Sequence, residues 1–493
     1  MKKSNNILIY ISIFTLAVVS CTKDLELVPV SQISNASFWK TEVDATGGLN
    51  GMYVRFRSLE QDLYYLGEMR SQTLGNGVGG NTQNEFEMYN NTLTASSNMP
   101  NWQAFYAVIH DANLILKFVP TISFSSEANK NNILAQAHTM RAFCYFAMVR
   151  TWGDLPLVED PTLGYDAQLV QKERSPKAEI FTLIKKDVDD AIQLYPNNNI
   201  PAGRVTFSKA AALTLKGQIY LWTAKRENGG ATDLNTALSA LNEVATSDVT
   251  LLTNYASIFD YGNKGNKEVI FAVRHADIET GDLQPYNHMW LYPGYIPATI
   301  DAATKEILKG GNGYSQLEVE KRIQNQFTDD DQRKDASFRV IYAYPDGVKT
   351  YYSSLVYKYH GTLINGLRYW YDDKIVFRYG DVLLMIAEAK NALGQDPTAE
   401  MTLIRQRAYG ANYSSHEFVS GSKEENDTEI LKERLLETAF EGTYWWDLLR
   451  FDKVFELVPS LVSKAGQDYL ELWPIVQSTL SLEPKVKQNP GWE

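Results

Sequence analysis

Along EIFTLIKKDVDDAIQLYP, residues 179–196, apolar side chains at Ile180, Ile184, Val188, Ala191 and Tyr195 return every three or four positions, with Lys185, Lys186, Asp189 and Asp190 between them. A period near 3.6 gathers the first set on one stripe and the second on the opposite face, so the spacing predicts an amphipathic helix closed by Pro196. Stripes of the same kind run through NWQAFYAVIHDANLIL, AQAHTMRAFCYFAMVRTWG, SKAAALTLKGQIYLWTAK, NTALSALNEVA, GDVLLMIAEAKNALG, AEMTLIRQRAYG and ILKERLLETAF. The fold class read from this pattern is mostly α.

Small residues recur where consecutive helices would meet. Gly217, Tyr220, Ala237 and Leu241 mark one pair, and Ala387, Gly394, Ala399 and Leu403 another. Such spacings let helices approach closely, as in tetratricopeptide-type helix pairs, although the intervals here are irregular. The helical period fades in two places: residues 71–101, rich in Asn and Gly, and residues 271–375, with Gly-, Pro- and Tyr-rich text such as GDLQPYNHMWLYPGYIP and GLRYWYDD. Irregular stretches of this length inside a compact chain usually carry function. No linker divides residues 21–493, which are expected to form a single domain.

The first residues carry another signal. Lys2 and Lys3 precede an apolar run from Ile7 to Val19, which as a helix would span about 20 Å against a hydrocarbon core of about 30 Å. It is too short to cross a membrane and has the layout of a signal peptide over residues 1–20. Val18, Ser20 and Cys21 match the bacterial lipobox pattern, which implies cleavage before Cys21 and acylation, with palmitate among the expected chains. More than one acyl chain on one residue makes a stable anchor without a span. Loss of residues 1–20 removes two lysines and no acid, so a formal net charge of −12 becomes more negative by two. So acidic a chain is not expected to bind nucleic acid. With Cys21 acylated, Cys144 is left with no disulfide partner.

Catalytic motifs are scarce. Gly75, Gly77 and Gly80 spell GxGxxG, but NTQNEFEMYNN follows where a dinucleotide site needs a strand, a helix and a distant acid. HExxH, GxSxG and Walker-type sequences do not occur, and the six histidines show no metal-ligand spacing. Asp329, Asp330, Asp331 and Asp335 lack the glycine turn and distal Glu of a calcium loop and read as a solvated turn. No cofactor, no metal and no catalytic residue is assigned.

Taken in order, the motifs resemble the SusD/RagB family of outer-membrane nutrient-binding lipoproteins. The segments that carry the resemblance are GGLNGMY at 47–53, NWQAFYAVIHDAN at 101–113, MRAFCYFAMVRTWGDLPLV at 140–158, GRVTFSKAAALTLKGQIYL at 203–221, FRYGDVLLMIAEAKNALG at 377–394, IRQRA at 404–408, ERLLETAFEGTYWWDLLRF at 433–451 and WPIVQ with QNPGW at 473–492. Local departures are Tyr444, Thr402 and Val476. The resemblance implies a SusD-like scaffold of helix pairs with a loop-rich insertion. It also implies a lipid-anchored protein of the outer membrane facing outward, which binds oligosaccharides and passes them to a SusC-like TonB-dependent transporter; a peptide-capturing RagB-like subunit is the alternative. Within the motifs, Gly442 is expected to end a helix, Asp447 and Arg450 to pair, Trp102 to lie in the core, and Arg141 to donate hydrogen bonds between helices.

A pyranose offers an apolar C–H face edged by hydroxyls, so exposed rings beside amides suit it. In YNHMWLY, residues 286–292, an extended chain would place Tyr286, His288, Trp290 and Tyr292 on one face. Pro285, Pro293 and Gly294 bracket the run as loop punctuation, so this face is expected to be an exposed platform. Asn76, Asn81 and Tyr89 from the first irregular region and Trp370 from the second would complete the ligand-binding set if the fold brings the loops together.

Overall fold

The computed structural model describes residues 38–164, 170–277 and 285–492; the leader and Cys21 lie outside them. The fold is mostly α. Helices α1 (Glu42–Arg57) and α2 (Glu60–Glu68) lead to the short α3 (Gln83–Tyr89), then to α4 (Gln103–Phe118), α5 (Glu127–Trp152), α6 (Lys177–Leu194), α7 (Lys209–Arg226) and α8 (Gly230–Val244). Neighbours in sequence are neighbours in space: α4 packs on α5, α5 on α6, and α7 on α8. After the irregular middle come α9 (Gln332–Ser337), α10 (Tyr379–Ala392), α11 (Thr398–Tyr409), α12 (Lys423–Thr438) and α13 (Tyr444–Arg450), with α10 laid against α8, α11 and α12. Among the described residues no helix is long and apolar enough to cross a membrane.

The stripes fold as their periods dictate. On α6, Ile180, Ile184, Val188, Ala191 and Tyr195 are all buried, and the helix stops at Leu194, before Pro196. Its flank adds a buried acid that periodicity does not flag: Asp187 accepts from Arg141 Nε and Nη2, both at 2.7 Å, while Arg141 Nη1 reaches Asn113 Oδ1 at 2.7 Å. One guanidinium thus joins α4, α5 and α6, the donor role expected of it. Gly217 lets α7 and α8 close up, since a Cβ there would lie 2.4 Å from Leu241. The second proposed pair is different. Ala387 is buried, but Ala399 and Leu403 face solvent and Gly394 occupies a left-handed turn after α10, so those three do not mediate helix contact. Trp102 is core, edge-on to Trp152. Chain reversal after α12 runs through Gly442 at φ +82, and Asp447 in the first turn of α13 pairs with Arg450 at 2.8 Å.

Among the described residues, four antiparallel strand pairs accompany the helices: β1 (Leu74–Asn76) with β3 (Leu317–Val319), β2 (Val269–Val273) with β8 (Lys374–Arg378), β4 (Phe338–Ala343) with β5 (Thr350–Val356), and β6 (Thr362–Ile364) with β7 (Leu367–Tyr369). The β1–β3 pair joins the two irregular regions of the sequence.

Where β2, β8, α9, α11 and α12 meet, the interior is ionic. Glu437 accepts from Arg378 at 2.6 Å, Arg407 at 2.5 Å and Arg333 at 3.3 Å. Glu268 serves Arg378 and Arg407, Glu433 serves Arg333, and Glu441 serves Arg378 and Lys358. Asp331, expected in a solvated turn with Asp329, Asp330 and Asp335, is instead buried: it caps α9 and holds Arg333 at 2.8 Å. The Arg333 guanidinium, two residues from Asp331, is what draws the chain inward.

A second ionic group links α7, α10 and α13 through Glu388, which binds Arg450 at 2.8 Å and Lys225 at 3.1 Å. Burial alone would raise its pKa, but the Arg450 and Lys225 charges hold it down at about 2, against an ordinary 4.5. A depressed carboxylate adds stability above its ordinary pKa and loses it as the pH falls through the folded value. Thermal midpoints should therefore fall steeply between pH 4.5 and about 2, and Glu388→Gln should flatten that segment while lowering stability at neutral pH. A wild-type midpoint unchanged across that window would contradict the assignment.

Candidate functional site

The loops singled out by sequence do come together. Residues 312–319 lie between the other two segments: Gly77 N donates to Gln316 O at 2.9 Å and Gly79 N to Ser315 O at 2.8 Å on one side. On the other, Tyr314 N donates to Asn287 O at 2.8 Å, Ser315 N to Trp290 O at 2.7 Å and Gln316 N to His288 O at 2.8 Å. The Gly-rich run 75–80 makes this possible, because a Cβ at Gly77 would sit 2.4 Å from Ser315 O. Its glycines serve close backbone approach, and β1 beside it runs antiparallel to β3, with no βαβ unit.

The run 285–292 is not extended. Pro285–Met289 forms a 3₁₀ turn, whose three-residue period breaks the expected alternation. Trp290 is 0% exposed: its Nε1 donates to Val356 O at 3.1 Å, Tyr357 stacks on it, Trp370 meets it edge-on at 5.3 Å and the Arg368 guanidinium lies 4.3 Å from its ring centre. Tyr286 is buried too, stacked on Tyr359 at 4.3 Å, with its hydroxyl taking a hydrogen bond from Lys374 at 2.6 Å. Trp370 and Tyr89 are likewise buried. These four rings are core, and the expected four-ring platform is not what this segment builds.

What it builds is a different aromatic surface. Tyr292 is 53% exposed and packs edge-on against Tyr295, 45% exposed, at 5.9 Å; Tyr314, 53% exposed, stands edge-on to His288 at 5.3 Å. Phe86 on α3 is 51% exposed. Among the described residues only one further Phe, Tyr or Trp is exposed, Tyr261 at 36%, so four of the five exposed rings belong to these loops and the adjoining α3. Tyr295 and Tyr314 were missed because they follow Gly294 and Gly313, in text without periodicity; the only sequence signal was an aromatic next to a glycine in an irregular run.

Polar groups edge the rings. Half-buried His288 bonds through Nδ1 to Glu85 Oε1 at 2.6 Å, which ties α3 to the second loop region. Burial by itself would raise the Glu85 pKa, yet the bonds from His288 and from Thr82, its partner in the helix cap, keep it below the usual carboxylate value. Asn76 is exposed at the end of β1. Asn81 follows the glycine turn with both amide atoms buried and without a partner among the described residues. The patch therefore offers ring faces, hydroxyls and amides on a floor locked by backbone hydrogen bonds.

The fold also gathers His138, Asp187 and Asp190, which sequence spacing did not connect, to within 4.8 Å. Their carboxylates are already engaged, Asp187 by Arg141 and His138 and Asp190 by Lys186 at 2.5 Å, so the group reads as an ion-pair cluster.

Two family profiles match the chain: the SusD family over residues 342–492, and a family described as "Starch-binding associating with outer membrane" over residues 29–221. The solved structure of B. fragilis NanU is 32% identical, covers 95% of this chain and all of its own, and superposes with a TM-score of 0.85. A SusD superfamily protein from Bacteroides vulgatus ATCC 8482 is 30% identical over 92% of this chain and all of its own, with a TM-score of 0.81. SusD-like protein P38 of Formosa agariphila is 29% identical over 99% of both chains. Collinear motifs, helix-pair scaffold and end-to-end superposition agree, and the chain belongs to the SusD/RagB family.

Proposed function

We propose that this protein captures oligosaccharides on the tyrosine patch and hands them to a SusC-like TonB-dependent transporter, acting as a binding subunit with no catalytic step of its own. The observation that carries the reading is the concentration of exposed rings: Tyr292, Tyr295, Tyr314 and Phe86 on these loops and the adjoining α3, in a chain whose other aromatics are mostly buried. Flat rings cover the C–H face of a pyranose, and hydroxyls and amides at the edge pair with its hydroxyls. Asn76 and His288 supply such groups, the Asn81 amide atoms being buried. The family description as starch-binding and associated with the outer membrane supports the same reading. Peptide capture, the RagB-like alternative, would leave the stacking faces without a use.

A glycan array set beside a peptide library decides the ligand class. Tyr314→Ala or Tyr292→Ala should weaken oligosaccharide binding roughly ten- to a hundredfold, by analogy with ring stacking on nucleobases at about 1–3 kcal/mol per ring, while the unfolding midpoint barely moves. Trp290→Ala should do the reverse in kind, costing about 3–5 kcal/mol of folding stability in a denaturant titration, as expected for a large buried ring. Binding of peptides alone, or unaltered glycan affinity in both tyrosine variants, would refute the reading.

The location follows from Cys21, acylated after cleavage of residues 1–20 and holding the protein on the outer face of the outer membrane. Cys21→Ala should give protein without fatty-acid label and released from membranes, whereas the wild type should be shaved by protease on intact cells and co-purify with a barrel transporter in mild detergent. Labelled, membrane-bound Cys21→Ala protein would overturn the anchor.

A further inference from the structure

Away from the tyrosine patch, a cavity of about 70 Å³ is lined by Arg150, Arg434, Arg450, Lys374 and Trp446 together with the acids Glu60, Glu441 and Asp447, among others. Its arginines are not equally satisfied. Arg450 binds Glu388 through two nitrogens at 2.8 Å and Asp447 at 2.8 Å. Arg434 uses Nη2 on Asp381 at 2.8 Å and on Asp447 at 2.9 Å, leaving its Nε and Nη1 buried without partners among the described residues; Trp446 Nε1 is in the same state.

Arg150 stands apart. It is 8% exposed, and its Nε donates to Phe146 O at 3.1 Å. Phe146 covers one ring-distance contact of the guanidinium at 3.8 Å and Trp446 another at 3.9 Å. Among the described residues no carboxylate forms an ion pair with it. Asp381, Glu388 and Asp447 are shared by Arg434, Arg450 and Lys225, and Arg150 pairs with none of them. Burial pulls its guanidinium well below the ordinary range and the Arg450 charge adds to the effect, with Asp447 opposing them. A buried cation without a counter-charge is unfavourable.

With aromatic rings against its flat faces, a guanidinium keeps its edge for hydrogen bonding, and that edge is suited to anions. We propose that the chamber is a binding site for one small inorganic anion of chloride's size, held by the terminal nitrogens of Arg150 with Arg434 and Trp446 Nε1 as further donors. The space suffices: a water needs roughly 10–15 Å³ of cavity volume, so a cavity of about 70 Å³ takes the ion with accompanying water. That water would donate to Asp447 Oδ2, a buried acceptor without a partner among the described residues. Arg150 also lines a surface pocket of about 290 Å³ with Arg174, Arg226 and Glu471, which gives the ion a route from solvent.

The test uses the purified wild-type protein. Crystals soaked in bromide should show an anomalous peak inside the chamber within contact of Arg150, and bromide peaks confined to the outer surface would overturn the proposal. In solution, the unfolding midpoint in sodium chloride should exceed that in sodium gluconate of equal ionic strength by a few degrees, because an ion bound only to the folded state stabilises it. Arg150→Met, which keeps an apolar stem and loses the charge, should unfold at the same midpoint in both salts. Equal wild-type midpoints in the two salts would overturn the proposal, as would a chloride effect that survives Arg150→Met.

Discussion

Charges confined to an apolar interior must meet partners, and that constraint organises this fold. Glu437 collects Arg333, Arg378 and Arg407 from α9, β8 and α11, while Glu268 beside β2 and Glu441 after α12 complete the set. Removing one partner from such a network costs about 3–5 kcal/mol, although the intact set gains little over an apolar core of the same volume. Its contribution is registry. A helix that slid by one turn would strand a guanidinium or a carboxylate away from water.

The aromatic loops hang from that frame. Lys358, just past β5, bonds Glu441 at 2.7 Å, and two residues earlier Val356 O accepts the indole N–H of Trp290. Ser354, also on β5, exchanges hydrogen bonds with both the N–H and the carbonyl of Val319 on β3. Through these links the position of β5, set by the ionic interior, becomes the position of the 286–292 turn and of the 312–319 segment that carries Tyr314. Buried Trp290 is then a support: its ring fills the floor so that Tyr292 and Tyr314 stand on something rigid.

Much of this was legible beforehand, and the boundary between legible and illegible is physical. Helical stripes such as Ile180, Ile184, Val188 and Ala191 are written in a local period, and burial follows because one face must leave water. The Asp447–Arg450 pair, one helical turn apart, is likewise short-range geometry, and Gly217 meets Leu241 across two consecutive helices. In the loops, sequence pointed to segments that do come together and misjudged which rings are exposed. Proline and glycine around YNHMWLY mark irregular backbone, but whether that backbone is extended or a 3₁₀ turn decides which ring faces out, and it depends on hydrogen bonds to residues more than twenty positions away.

The sequence by itself determined the helical class, the pairing of neighbouring helices, the family and the segments that form the patch, because each rests on periodicity or on residues close together in the chain. Only the tertiary structure decided that Trp290, Tyr286, Trp370 and Tyr89 are core, that Tyr292, Tyr295 and Tyr314 are surface, and that Asp331 is drawn into the ionic interior. Those outcomes depend on contacts such as Trp290 with Val356, 66 residues apart, and Arg333 with Glu437, 104 apart. A side chain's exposure is fixed by what the rest of the fold lays against it, and no local pattern carries that information.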